Sequence, residues 1–246
     1  MISARFAALL SFFSFTLPAC GGGEWVVTTW GEAYIEEGIP AADFADGCSA
    51  TFDSFTVQLQ DIALLDGAGE DAGVLDGGFL VELTEPGPLT LGRVTAPATL
   101  YDAARARIAP LDAAPSVAAA GAITCGDTTV GFDWRFSTDT TYVCEPEGLT
   151  LPRGGEDTTE LTVHGDHLFY DGLESPDAQV RAEAIVAADG DLDGLVTQAE
   201  LDAVPLAPLG YTVGQYSEVT TLGQHVEHLT RTLMHVDGEG HCQVNL

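Results

Sequence analysis

Lysine is absent from all 246 residues, and the eight basic side chains are arginines set against 38 acidic ones, a formal net charge of −30. Without lysine no Schiff base can form, and no phosphate-loop lysine exists. A surface this acidic repels nucleic-acid phosphate and anionic headgroups, so nucleic acid is excluded as a partner. The field attracts cations, beside the plain solubility that charge confers. Gly-x-Ser-x-Gly, His-Glu-x-x-His, Cys-x-x-Cys and a glycine-rich phosphate loop are all missing. No nucleophile, redox pair or thiolate zinc site is therefore marked. The expectation is a non-catalytic protein. A hydrolase whose carboxylate pair is set only by the fold remains as an alternative.

No apolar run is long enough to span a bilayer. The first nineteen residues read instead as a targeting segment: Arg5, then an apolar stretch from Phe6 to Leu17, then Leu17-Pro18-Ala19-Cys20. That ending resembles the lipobox of bacterial lipoproteins, in which lipid is placed on the cysteine and the chain is cut just before it. The resemblance implies Cys20 as the lipidation site, an address in the cell envelope and contact with the membrane through the lipid only. An ordinary signal peptide with Cys20 free for a disulfide is the alternative. Gly21-Gly22-Gly23 reads as a flexible tether. Cutting after residue 19 leaves seven arginines against 38 acids, a charge of −31. Cys48, Cys125, Cys144 and Cys242 remain, an even number for an oxidising compartment, and two disulfides are expected with their pairing open.

From about residue 51 to 172 the pattern is β. Phe55, Val57 and Leu59 alternate with polar residues, and Val130, Phe132, Trp134 and Phe136 form the cleanest period-two run. Further strands are expected at Phe79–Thr84, Leu89–Thr95, Ser116–Thr124, Thr141–Cys144 and Glu160–His164, with turn-forming residues between them. Tyr101–Ala109 reads as a short helix or an arm, and Asp66–Gly78 as a loop. Many short strands, each with one apolar face, predict an antiparallel β-sandwich. After about residue 173 the pattern turns helical. Ser175-Pro176-Asp177 can start a helix over Ala178–Ala188. Leu222, Val226, Leu229, Leu233 and Val236 make one stripe, behind the capping box Thr221-x-x-Gln224, with Gly238 as the stop. The expected order is a leader over 1–19, a tether and N-terminal segment over 20–50, a sandwich over 51–172, and a small helical part over 173–246.

The chemistry concentrates in Asp189-Gly190-Asp191-Leu192-Asp193-Gly194-Leu195-Val196-Thr197-Gln198-Ala199-Glu200. Calcium requires six to eight oxygen ligands gathered by a sharply turning chain. Asp189, Asp191 and Asp193 at alternate positions can aim inward, and Gly194 permits the positive φ of the turn. Leu195 offers its carbonyl, Thr197 its hydroxyl or a held water, and Glu200 both carboxylate oxygens. Thr197-x-x-Glu200 doubles as a capping box. The twelve residues resemble the EF-hand, which implies calcium as the cofactor and a helix on either side. The second helix is stopped early by Pro205 and Pro208, and the loop has no second copy in the chain. Alone and short-helixed, it reads as a structural clamp and not as a sensor.

All six histidines lie in the last third. His164 and His167 bracket Gly165-Asp166, and His225, His228 and His235 share one flank of the expected last helix. His164, His167, His225 and His228 together could hold zinc or copper, which would make the protein a periplasmic or surface metal carrier. The other reading is half-buried imidazoles bordering an apolar stripe. Finally, Phe52–Asp61, Phe79-Leu80-Val81-Glu82-Leu83-Thr84 and Pro97–Tyr101 are similar to segments of uncharacterised bacterial lipoproteins with a transthyretin-like sandwich. That resemblance implies a fold and no activity.

Overall fold

The computed structural model describes residues 21–246, apart from residues 174, 239 and 246. The chain is mainly β, 47% strand against 14% helix, so sheets and not helices build the core. In order the strands are β1 (Gly22–Trp30), β2 (Ser49–Leu65), β3 (Asp71–Glu82), β4 (Leu89–Pro97), β5 (Ala103–Ile108), β6 (Val117–Cys125), β7 (Thr128–Phe136), β8 (Thr140–Cys144), β9 (Glu156–Val163), β10 (Leu195–Val196), β11 (Met234–Val236) and β12 (Cys242–Asn245). Among the described residues four short α-helices accompany them: α1 (Glu32–Glu36), α2 (Glu183–Val186), α3 (Gln198–Ala203) and α4 (Leu222–Leu229).

Among the described residues the strands form two sheets. One runs β11-β9-β1-β4; the other runs β10-β7-β6-β2-β5-β8-β12, with β3 also paired to β2. The alternation in β7 buries Val130, Phe132, Trp134 and Phe136, while Asp133 and Arg135 face solvent. Residues of both sheets and of the C-terminal part belong to one continuous apolar core, from Trp25 and Val27 through Leu59 and Trp134 to Leu222 and Val236. Phe52, Phe132, Trp134 and Phe169 meet at its centre, with ring centroids 4.5–6.4 Å apart. β2 bends at Asp61, whose φ of 52° accompanies a shift of register against β3 and β5.

Pairing is not antiparallel throughout: β1 lies parallel to β9, and β10 lies parallel to β7. Both pairs join segments far apart in sequence, where no hairpin dictates direction. β1 itself occupies the stretch expected to be tether, with Gly22 and Gly23 paired to Pro97 and Ala96. Asp66–Gly78 is a tight turn followed directly by β3, because the Asp66 carboxylate accepts the backbone N–H groups of Ala68 and Glu70 and closes the turn. Tyr101–Ala109 contains β5, held between β2 and β8.

The helices are shorter than the periodicity predicts. α2 begins only at Glu183, where the distant Asp46 carboxylate accepts the N–H groups of Ala182 and Glu183 at 2.7 and 2.8 Å. Upstream, Val180 makes a strand-like bridge to Tyr170 instead. α4 starts on the capping box of Thr221 and Gln224 but ends at Leu229. There the Thr230 and Thr232 hydroxyls donate to the carbonyls of Glu227 and Leu229, taking the acceptors of the last turn. The apolar residues Met234 and Val236 then bury themselves as a strand against β9. Gly238 terminates no helix; its φ of 84° serves the turn after β11. α3 and α4 approach closely, since a Cβ on Gly223 would sit 2.1 Å from Asp202 Oδ1. Two disulfides, Cys48–Cys125 and Cys144–Cys242, tie β2's entrance to β6 and β12 to β8. No helix among the described residues is long and apolar enough to cross a membrane. Cys20 and the leader lie outside the described residues.

Candidate functional site

Two groups of potential metal ligands converge among the described residues: Asp189, Asp191 and Asp193, and His164, Asp166 and His167. In each group the ligand atoms lie within 4.8 Å of one another.

The acidic group sits in the loop between α2 and α3. Leu192 and Gly194 take positive φ values of 62° and 84°, which wind the backbone tightly enough to bring alternate aspartates together. Local hydrogen bonds hold the wind. Asp191 Oδ1 accepts the N–H of Asp193, Asp193 Oδ1 that of Leu195, and Asp189 Oδ2 that of Gly194 at 3.1 Å. Asp189 Oδ1 is buried and has no hydrogen-bond partner. A carboxylate oxygen shielded from water amid two further carboxylates suits a divalent cation. Glu200 reaches back across the loop, its Oε1 accepting the Gly190 N–H and its Oε2 the N–H and hydroxyl of Thr197. These bonds hold its carboxyl below the usual range, and Thr197 in turn caps α3. The donor set is all oxygen, as a hard cation prefers.

The loop's exit is built into the larger sheet. Leu195 and Val196 pair with Gly131 and Phe132 of β7, and the Gly131 N–H donates to Gly194 O at 2.8 Å. The buried Trp134 indole donates to Val196 O at 2.9 Å. Gln198 extends the ladder, exchanging bonds with the backbone of Arg135 through its side-chain amide. Val196, the apolar eighth residue of the loop, thus meets β7.

The second group lies at the end of β9. The register Thr162 opposite His235 puts His164, two residues on, diagonal to His235 on the same face of the β9–β11 pair. His167 follows in a 3₁₀ turn, Asp166–Phe169. Ring centroids are 4.4 Å apart for His164 and His235, and 5.2 Å both for His164–His167 and for His167–His235. His164, Asp166 and His167 are all buried. His167 Nδ1 lies 2.7 Å from the Thr232 carbonyl, so Nδ1 carries the proton and Nε2 keeps its lone pair. Burial, then the neighbouring imidazoles, push the His167 pKa down to about 3, so the ring is neutral at physiological pH. Asp166 Oδ2 accepts the Tyr170 hydroxyl at 3.0 Å, and Glu32 stands 3.4 Å from His164 Nδ1.

His225 and His228 belong to neither group. His225 Nε2 donates to the Tyr170 carbonyl at 2.9 Å and its ring packs on Tyr211, while His228 lies against Tyr216. His235 is carried by β11 and not by the helix that bears those two, because α4 has already ended. The three threonine and arginine positions from Thr230 to Thr232 were the signal that the stripe breaks there. His241 is exposed beside the disulfide cysteine Cys242. The chain matches no family model, no curated protein and no solved structure.

Proposed function

We propose that this chain is a calcium-binding, lipid-anchored cell-envelope protein, non-catalytic, in which calcium fastens the C-terminal part to a β-sandwich. One observation carries the reading. The loop that gathers Asp189, Asp191 and Asp193 is continuous with β10, whose pairing partner is β7 of the central sheet. Ordering the loop around an ion therefore orders an edge of the core. Leu195 O, the Thr197 side chain and Glu200 complete the ligand set, with calcium supplying the positive charge that three adjacent carboxylates lack. A sensor would couple to a second loop and expose a groove, whereas here the coupling strand is already spent on β7. The two sheets around a shared core support the sandwich reading. The Leu-Pro-Ala-Cys sequence ending at Cys20 supports anchoring through lipid, and the two disulfides suit an oxidising compartment.

The test is thermal unfolding of the mature chain in saturating calcium and in chelator. Calcium at about a hundredfold over Kd adds about 2.7 kcal/mol, and the melting temperature rises by about 5–10 °C, without binding of a hydrophobic dye. Identical transitions in both conditions would sink the calcium reading. Separately, Cys20→Ala moves the protein from the membrane fraction to the soluble one; a variant that still sediments with membranes would sink the anchor.

A further inference from the structure

We propose that His164, His167 and His235, with Asp166 as the carboxylate ligand, hold one resident zinc ion in a closed site distinct from the calcium loop.

The fold brings these groups together from separate places. β9 delivers His164, the 3₁₀ turn after it delivers Asp166 and His167, and β11 delivers His235 through its register with Thr162. Ligand atoms of His164, Asp166 and His167 already lie within 4.8 Å of one another. On a tetrahedral zinc ion with bonds near 2.0–2.1 Å ligand atoms lie about 3.3 Å apart, so these three must draw closer and the His235 ring, 4.4 Å from His164 and 5.2 Å from His167 between centroids, must turn a nitrogen towards them. Three nitrogens and one carboxylate oxygen form a complete tetrahedral set of the kind zinc takes.

The surroundings are those of metal-binding imidazoles. A ligating histidine donates its remaining ring N–H to a carbonyl or carboxylate, which fixes the tautomer and aims the other nitrogen. The His167 Nδ1–H does this with the Thr232 carbonyl at 2.7 Å. Glu32 is placed to do it for His164, 3.4 Å from Nδ1. Glu32 is held at a φ of 55°, unusual for a residue with a side chain, where it opens α1 beside the cluster. Tyr170 anchors the Asp166 carboxylate through its hydroxyl. The two ring nitrogens of His164 meet Glu32 and the Gly238 carbonyl only at 3.4 Å.

Burial decides what kind of site this is. His164, Asp166 and His167 are 4%, 7% and 8% exposed, and the half-buried His235 keeps its Nδ1 out of water, so the four together leave no open position for water or substrate. Such a closed set holds a structural ion and neither ferries metal nor activates water. The ion would pin β9, the turn after it and β11 together, at the opposite end of the chain's logic from the oxygen-only calcium loop.

The experiment is metal analysis and cobalt titration of the mature chain, kept in saturating calcium. The expected result is one equivalent of zinc in the purified protein. After its removal, stoichiometric Co(II) gives the intense visible absorption of a four-coordinate, nitrogen-rich site. His235→Gln and His167→Gln lose the band and bind zinc at least a hundredfold more weakly, whereas His228→Gln and His241→Gln retain both. Far-UV circular dichroism checks that each variant is folded, and the wild-type cobalt spectrum stands even where a variant is not. A natively folded wild type that takes up neither zinc nor cobalt at micromolar metal overturns the proposal. Unaltered binding by His235→Gln overturns it as well, and one equivalent of copper or iron in the purified protein overturns the zinc assignment.

Discussion

Glu200 has two duties in the proposed calcium loop that a single substitution can separate. Its carboxyl accepts the Gly190 and Thr197 N–H groups, and it completes the capping box of α3. Glutamine can keep a capping box but brings no charge and cannot ligate calcium through two equivalent oxygens. Glu200→Gln is therefore expected to weaken calcium by about tenfold to a hundredfold, while the calcium-free protein melts within about 2 °C of wild type. Calorimetric titration and thermal unfolding read the two effects. Glu82 gives the residue-scale pH dependence. Partial burial would raise its pKa, yet bonds from the Phe55 N–H, the Ser54 hydroxyl and Thr84 together lower it below the ordinary 4.5. A carboxylate lowered on folding stabilises fully above the unfolded-state value and loses that contribution as pH falls through the folded-state value. Glu82→Gln should cost about 1 kcal/mol at pH 7, and the gap to wild type should close as pH falls below the ordinary 4.5 and through the lower folded-state value. A gap that is constant in denaturant titrations from pH 7 to pH 3 would contradict this.

At the scale of elements, β10 is two residues long and has no independent reason to form. Its partners create it: β7 supplies the ladder and Trp134 caps the Val196 carbonyl. The Trp134 indole is thus one hydrogen bond from the calcium loop, and its emission should change on calcium binding. Trp25 bonds to Thr159 and Trp30 to Glu36, away from the loop, so Trp134→Phe should abolish the change. The same variant leaves Val196 O without its buried donor and costs about 1–3 kcal/mol; an unaltered calcium-dependent emission in it would refute the assignment. The elements also mark how far sequence periodicity reaches. β7 was legible because alternation over nine residues has one physical meaning, a sheet with one face inside. The stripe from Leu222 to Val236 was half legible. Apolar spacing is the same whether the chain continues as helix or turns into a strand, and only threonine hydroxyls competing for the last carbonyls show the break. α2 was misplaced for a different reason, because its start is set by Asp46, far away along the chain.

For the whole molecule, the disulfides close the longest loops. Cys48–Cys125 spans 77 residues and Cys144–Cys242 spans 98. Chain-entropy arguments assign each about 4–5 kcal/mol, a ceiling because the unfolded chain keeps some structure. Cys144→Ser/Cys242→Ser should lose about 3–5 kcal/mol in denaturant unfolding, and a loss below about 1 kcal/mol would show that β12 contributes little to the core. The arginines work at the same scale. Arg93 joins β4 to Glu24 and Glu156 on β1 and β9, and Arg107 on β5 takes Asp61 and Asp139. Exposed pairs of this kind add little each, but they place the few cations where acidic strands meet.

The residues by themselves determined the acidic field, the β character, the alternate aspartates of the loop from Asp189 to Glu200 and the presence of His164 and His167 three apart. Each is local: composition, alternation over adjacent positions, or a twelve-residue spacing whose ligands lie within one turn of backbone. Tertiary structure alone decided that β1 lies parallel to β9, that β10 leans on β7, and that His235 meets His164 where His225 and His228 do not. Those facts depend on register between segments more than sixty residues apart, and a one-residue slip in β11 would turn His235 to the other face of its sheet.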